Sequence, residues 1–295
     1  MPMQHTKFNT GESWVVLSEI EQLIKEKIER VGTPLKDWDI QINYGIKTGF
    51  NEAFIIDGTK RQELIAQDPK SDELIRPILR GRDIKRYCYE YASLYLLFIP
   101  WHFPLHTDPT VMGASEKAER MFKAQYPAVY GHLLSHKRGL ENRNKAETGI
   151  RYEWYALQRW GANYWDDFSK QKIIFQEMVQ EPSFIFDEEG KYMCLDTARI
   201  ITGKDLEILL SVLNSKLFFY AVKMFYGGGG LGETGIRMKH TFFENFPMPK
   251  FTQEKQREIK KLVQNPIEQN LKNVDTILYK AFELEKEEVD FIESQ

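Results

Sequence analysis

At 295 residues, with 42% hydrophobic and 13% aromatic side chains, the chain can bury most of its unfolded surface in one large domain or two modest ones, which excludes disordered, collagen-like and purely coiled-coil architectures. Its 40 basic and 43 acidic groups leave a net charge of −3, against indiscriminate binding of a polyanion. Residues 76–172 nonetheless hold 16 basic and 10 acidic groups, a local excess that either steers a polyanion or forms an ordinary solvated face.

In chain order, Leu17, Ile20, Ile24, Ile28 and Val31 recur at helical spacing and predict an amphipathic helix. Ser13 or Ser18 is its cap, the latter with Glu21 three residues on, and Gly32-Thr33-Pro34 is its stop. Residues 39–43 and 53–56 read as strands around the Gly-punctuated segment 44–51, and Tyr95 to Ile99 as a short buried strand. Ser115 to Ser135 reads as helix broken at Pro127. Strands follow at 173–175, 184–186 and 192–195, the last two forming an expected hairpin around Asp187-Glu188-Glu189-Gly190. A helix from Lys204 to Asn214 resumes after Ser215 to about Met224, ahead of the glycine-rich stretch 227–232. Near the end, Asn265 is the expected cap, with Pro266 at the first helical position and Glu268 at the third. Ile267, Leu271, Val274, Leu278 and Ala281 then form a heptad-like seam. Strands scattered among unequal helices predict an α+β fold rather than a doubly wound sheet. Three regions are expected: an N-terminal helical connector (1–38), a mixed α/β domain (39–250) and a C-terminal helical spacer or docking segment (251–295). The end helices either pack on the central domain, or pair with each other or dock a partner protein.

Two cysteines, Cys88 and Cys194, more than 100 residues apart, make neither a disulfide framework nor a zinc site and fit a reducing cytosol. The longest apolar run, about Leu94 to Trp101, is far short of a bilayer span, and the first residues have no apolar signal core. A cytoplasmic protein is expected, with no membrane partner.

Enzyme motifs are incomplete. Gly227, Gly229 and Gly232 match a dinucleotide fingerprint in letters only, since they follow a helix instead of a strand. A Walker loop and a nucleophile elbow are both missing. His102/His106 and His132/His136 are four apart, but Pro104 spoils the first pair as a helix and the second lacks a third ligand. Glu189-Gly190-Lys191, with Glu177 upstream, has the residue types of a Mg²⁺-dependent nuclease but sits in hairpin-turn composition. No catalytic residue and no metal ligand is assigned.

Recognition-type residues are denser. Arg76, Arg80, Arg82, Lys85 and Arg86 crowd together ahead of Tyr87, Tyr89 and Tyr91. The polar, basic run from His136 through Lys137, Arg138, Arg143 and Lys145 leads into Arg151, Tyr152, Trp154, Tyr155, Gln158, Arg159 and Trp160. Arg pairs bidentately with guanine, Asn or Gln with adenine, and Lys and turn amides suit phosphate. Trp154, Trp160 and Trp165 also fit as core anchors, with arginines snorkelling around them.

Four strings carry a family resemblance: Gly45-Ile46-Lys47-Thr48-Gly49-Phe50-Asn51-Glu52-Ala53-Phe54; Ile78-Leu79-Arg80-Gly81-Arg82-Asp83-Ile84-Lys85-Arg86-Tyr87; Lys172-Ile173-Ile174-Phe175-Gln176-Glu177; and Leu213-Asn214-Ser215-Lys216-Leu217. With the glycine-rich loop before Phe243-Glu244-Asn245-Phe246-Pro247, they span about residues 40–250 and resemble the TaqI-like C-terminal specificity domain. Such domains recognise targets in type II restriction-modification enzymes and adenine-specific DNA methyltransferases. They are similar to half of a type I specificity subunit, whose long helix corresponds here to residues 266–285. The resemblance implies sequence-specific binding of double-stranded DNA in the major groove, on behalf of a methyltransferase or nuclease module in cis or in trans. The Asn- or Asp-Pro-Pro-aromatic motif that holds a flipped adenine is missing. S-adenosylmethionine and Mg²⁺ are therefore expected only in that other module. Phosphate contacts are expected from Arg80, Arg82, Lys85, Arg86 and the Lys47-Thr48-Gly49 turn. Base reading is expected from His136, Lys137, Arg138, Arg143, Arg151, Trp154, Gln158 and Arg159, with Arg237 and Lys239 closing from the glycine loop. Asn51 alternatively ties the turn. A metal-dependent nuclease using Glu177, Glu189 and Lys191, and a protein-interaction module without a DNA role, are the competing readings.

Overall fold

Helix Glu19–Arg30 forms where the apolar stripe predicts it. Ser18 is its cap, and the reciprocal bond from the Ser18 amide to the Glu21 carboxylate, at 2.6 Å, completes a capping box. Ile24 and Ile28 are its buried residues. The structure, a computed structural model, describes residues 17–226 and 235–295; Ser13 and the glycines at 227–232 lie outside them. The chain divides into two compact units: 40–177 with 183–206, and the described residues up to Asp39 with 178–182 and 207–295. Residues 207–250, expected within the central domain, thus group with the terminal helices.

The first unit contains two four-stranded sheets. One has the order Ile40–Tyr44, Ala198–Gly203, Lys172–Gln176, Phe184–Asp187, antiparallel throughout. Its central strands are nearly continuous apolar runs because both faces are covered. The other has the order Ile55–Asp57, Leu94–Leu97, Ile75–Leu79, Met193–Cys194, with the last pair parallel. Helices Glu116–Gln125 and Pro127–Ser135 meet at the proline, which takes the first position of the second helix, where its missing N–H costs nothing. An aromatic core that includes Phe54, Phe122, Tyr152, Tyr155 and Phe168 fills the unit.

Two expectations fail here for identifiable reasons. Residues 53–56 are not one strand: Asn51–Phe54 is a helical turn, and the strand begins at Ile55. The hairpin between 184–186 and 192–195 does not form, and the two strands belong to different sheets. The Asp187 carboxylate accepts from the Lys172 ammonium at 2.6 Å and from the amides of Lys191 and Tyr192 at 3.0 and 2.8 Å. Gly190, at φ +63°, passes so close to the Ser169 carbonyl that a Cβ would lie 2.3 Å from its oxygen. The turn therefore exports the chain to the second sheet, beside Ile78–Leu79, instead of folding it back.

The second unit is mostly helical. Ser215 ends helix Leu206–Leu213 and caps Lys216–Ala221 by accepting from the Phe218 amide at 3.0 Å. Short ribbons pair Thr33–Pro34 with Pro247–Met248 and Ile236–Arg237 with Met178–Val179. The C-terminal segment is three helices, Gln253–Gln264, Glu268–Ala281 and Lys286–Glu293, rather than one spacer over 266–285. The middle helix starts two residues later than expected, with Ile267 at the cap position. Val274 and Leu278 of the seam are buried, while Ile267 is exposed. Among the described residues no single helix is long and apolar enough to cross a membrane.

Candidate nucleic-acid interface

The turn at Thr48-Gly49 is rigid. The Thr48 hydroxyl donates to Asn51 Oδ1 at 2.5 Å and accepts from the Phe50 amide at 3.2 Å, so Asn51 ties the turn and the Thr48 side chain is buried within it. Lys47 and Arg159 exchange both backbone hydrogen bonds, at 3.0 and 2.9 Å, which places the turn beside segment 154–159. Gly49 has φ +75°, and a Cβ there would lie 2.6 Å from Gln158 Oε1. Gln158, Arg159, Lys47 and the Gly49 backbone are thereby assembled in one place.

Segment 136–159 is anchored by its buried members. Trp154 donates its Nε1–H to Glu119 at 2.8 Å and Lys137 Nζ lies 4.9 Å from its ring centre; it is a core anchor and not a base contact. Glu153, also buried, accepts from the amides of His102 and Ser115 at 2.7 and 2.9 Å and faces the His102 ring. Its partners lie 51 and 38 residues away in sequence, so no local pattern marks it. Tyr155 donates to the Phe103 carbonyl at 2.9 Å. Arg143 turns inward, and its guanidinium is consumed by backbone carbonyls, one of them Thr48's at 2.6 Å. Burial lowers its pKa to about 10, so it remains a cation at neutral pH. Arg151 pairs with Glu147 at 2.8 Å and lies over Trp101. Arg138 and Lys145 are exposed and form no ion pair among the described residues; Lys145 belongs with the outward cations although its spacing does not distinguish it. His136 packs its ring edge-on against Phe50. His132 faces the Ala53 carbonyl through Nε2 at 2.9 Å, and burial, against the pull of that bond, lowers its pKa.

The basic turn at 80–86 divides in the same way. Arg80 makes a bidentate pair with Asp83, Nε to Oδ2 at 2.9 Å and Nη2 to Oδ1 at 2.7 Å. Burial pushes the Asp83 carboxyl up, but the bonds from Arg80 outweigh it and leave it below the ordinary value. Arg80 therefore organises the turn Gly81–Asp83 through this pair. Arg82 is exposed, Lys85 is half-buried without an ion pair, and Arg86 lies over Tyr87.

In the helical unit, Arg237 is exposed on the ribbon Ile236–Arg237, and Lys239 lies over Phe242 at 5.7 Å.

Among the described residues no group of three or more His, Cys, Asp and Glu side chains is arranged to hold a metal. Glu177 faces Arg199 at 3.5 Å, while Glu189 and Lys191 are exposed.

Residues 76–248 match the model of the TaqI-like C-terminal specificity domain. The chain belongs to this family. The specificity-domain match begins at Arg76, so the string Gly45–Phe54 lies outside it. The chain is 27% identical over 240 residues to the Type II methyltransferase M.MjaIV of Methanocaldococcus jannaschii, covering 79% of this chain and 72% of that protein. Its fold is similar to that of the Type IIL restriction-modification enzyme MmeI, solved in complex with DNA: TM-score 0.54 and 13% identity over 85% of this chain. It is also similar to the type IIG restriction endonuclease BpuSI, with TM-score 0.50 and 13% identity over 84% of this chain. This specificity-domain chain spans 33% and 28% of the length of those two solved chains.

Proposed function

We propose that this chain is a DNA target-recognition domain of a restriction-modification system, directing an adenine-specific methyltransferase, with or without a nuclease, to its site. Family membership supports the class of function. The observation that carries it to particular residues is the assembly at the Gly49 turn, where Lys47, Gln158 and Arg159 meet on a rigid frame. Preorganised side chains read base edges without first paying for ordering. Lys47, Arg82, Lys85 and Arg86 are the phosphate-contacting set, and Arg138, Gln158 and Arg159 the base-reading set, with Arg237 and Lys239 supplementary. Methyl transfer from S-adenosylmethionine and any Mg²⁺-dependent cleavage are assigned to the methyltransferase or nuclease module, in cis or in trans; among the described residues no three carboxylates, histidines or cysteines are grouped to hold a metal.

Selection of the chain against a random-sequence duplex pool across a salt series tests the reading. Enrichment of one short motif supports it. Retention that is steeply salt-dependent but unenriched reduces the role to phosphate binding. No retention at low salt overturns it in favour of a protein-interaction module.

A further inference from the structure

Arg143 looks in sequence like a base reader, but four of the five N–H donors of its guanidinium are taken by backbone carbonyls. Nε donates to the Leu140 carbonyl at 3.1 Å and Nη1 to Thr48 at 2.6 Å. Nη2 donates to both Trp154 and Ala156, at 2.7 and 2.5 Å. No carboxylate shares the site; the flanking groups are the rings of Phe54 and Tyr152, centred 5.4 and 5.6 Å from Cζ. A planar fork whose five N–H donors are spread over three nitrogens can reach four separated carbonyls at once, which the three donors on the single nitrogen of Lys cannot.

The carbonyls come from three stretches of chain: the Gly49 turn, the end of helix Lys137–Glu141, and segment 154–156. The last two lie within three residues of Arg138 and Gln158 in the proposed reading set, and the Gly49 turn packs against Gln158 itself. A Cβ on Gly49 would lie 3.0 Å from Arg143 Cδ as well as 2.6 Å from Gln158 Oε1, so the arginine stem, the turn and the glutamine are packed as one contact.

We propose that Arg143 is a positioning residue that fixes the Gly49 turn against segments 138–140 and 154–158, so that Arg138, Gln158 and Arg159 face DNA in one register. This rests on the reading as a DNA target-recognition domain and assigns the registration of that surface to one internal cation. It touches neither base nor phosphate. Its loss therefore has a distinct signature: discrimination weakens at several base positions together, while the number of phosphates neutralised does not change.

The test is duplex-pool selection with the full chain as wild type, Arg143→Lys and Gly49→Ala, with the salt slope measured on a fixed duplex for wild type and Arg143→Lys. Folding of each variant is checked by near-UV circular dichroism. Arg143→Lys is expected to reduce preference by about 10-fold at two or more positions of the motif, with an unchanged slope. Gly49→Ala disturbs the same atoms from the other side and is expected to relax the same positions; if Arg143→Lys does not fold, that pattern decides. Relaxation at a single position would make Arg143 a direct base reader, and a slope reduced by about 0.9 would make it a phosphate contact. Either result, or unaltered preference in folded variants, overturns the proposal. Failure of the wild type to enrich any motif would instead overturn the target-recognition reading on which it rests.

Discussion

The sorting of cations into spent and available makes a quantitative prediction for salt dependence. Arg80 is held bidentately by Asp83, whose side chain is only 6% exposed, whereas among the described residues Lys47, Arg82 and Lys85 form no ion pair. If the phosphate-contacting set of Lys47, Arg82, Lys85 and Arg86 neutralises one phosphate per side chain, log K falls with log salt at a slope of about −3.6, a loss of about 150-fold between 50 and 200 mM salt. Lys85→Ala removes one contact, so the slope falls to about −2.7 and the loss to about 40-fold, with little change in stability. Arg80→Ala leaves the slope alone but strips a buried carboxylate of its charged donors, costing about 2 kcal/mol of folding stability. Fluorescence anisotropy with a labelled duplex at five salt concentrations, together with urea melts, reads both quantities. A slope reduced by Arg80→Ala and untouched by Lys85→Ala would show that Arg80 leaves Asp83 to reach phosphate, and would refute the reasoning.

Lys172→Met should destabilise the protein by about 3–5 kcal/mol in urea unfolding, because it abandons the buried Asp187 carboxylate to two backbone amides; a cost under about 1 kcal/mol would show that Asp187 is solvated. His132 and His106 are both held below the ordinary imidazole value, chiefly by burial, so the unfolded chain binds their protons more readily. Stability is therefore expected to fall as pH drops below about 6.5 and to level off below the folded-state values. His132→Gln, which keeps an amide donor for the Ala53 carbonyl, should flatten part of that decline, and an unchanged pH profile would count against the burial argument. Glu153→Gln should cost about 2 kcal/mol, since an amide presents one oxygen where two backbone amides and the His102 ring converge; unaltered urea midpoints would refute this role of Glu153.

What the sequence disclosed follows the range of the forces involved. The capping box at Ser18 and Glu21 and the break at Pro127 are written within four residues of each other or in a single residue type, and both appear where expected. The hairpin expected between 184–186 and 192–195 does not form because the pairing is decided by Lys172 and the Ser169 carbonyl, which meet the turn only in the folded chain. The same distinction runs through the site. The Arg80–Asp83 pair spans three residues and is legible as a local ion pair, although the surrounding basic residues point equally to phosphate. Arg143 could not be sorted in that way, since its partners are main-chain carbonyls that every residue possesses. A count of cations finds the region, and only their partners tell which of them face outward.

That division bears on how such a domain changes its target. Within 136–159 the anchors are Arg143, Tyr152, Glu153, Trp154 and Tyr155, all turned inward, while Arg138, Lys145 and Arg159 project outward without ion pairs among the described residues. Exposed side chains without partners tolerate replacement within about 0.5 kcal/mol, whereas anchors of this kind cost several times that. Exchanging the outward group is therefore expected to alter the preferred motif and leave the urea midpoint nearly fixed. Pool selection and urea melts on an Arg138→Gln, Arg159→Gln double variant measure both. A large loss of stability with the motif intact would reverse the assignment of frame and reader.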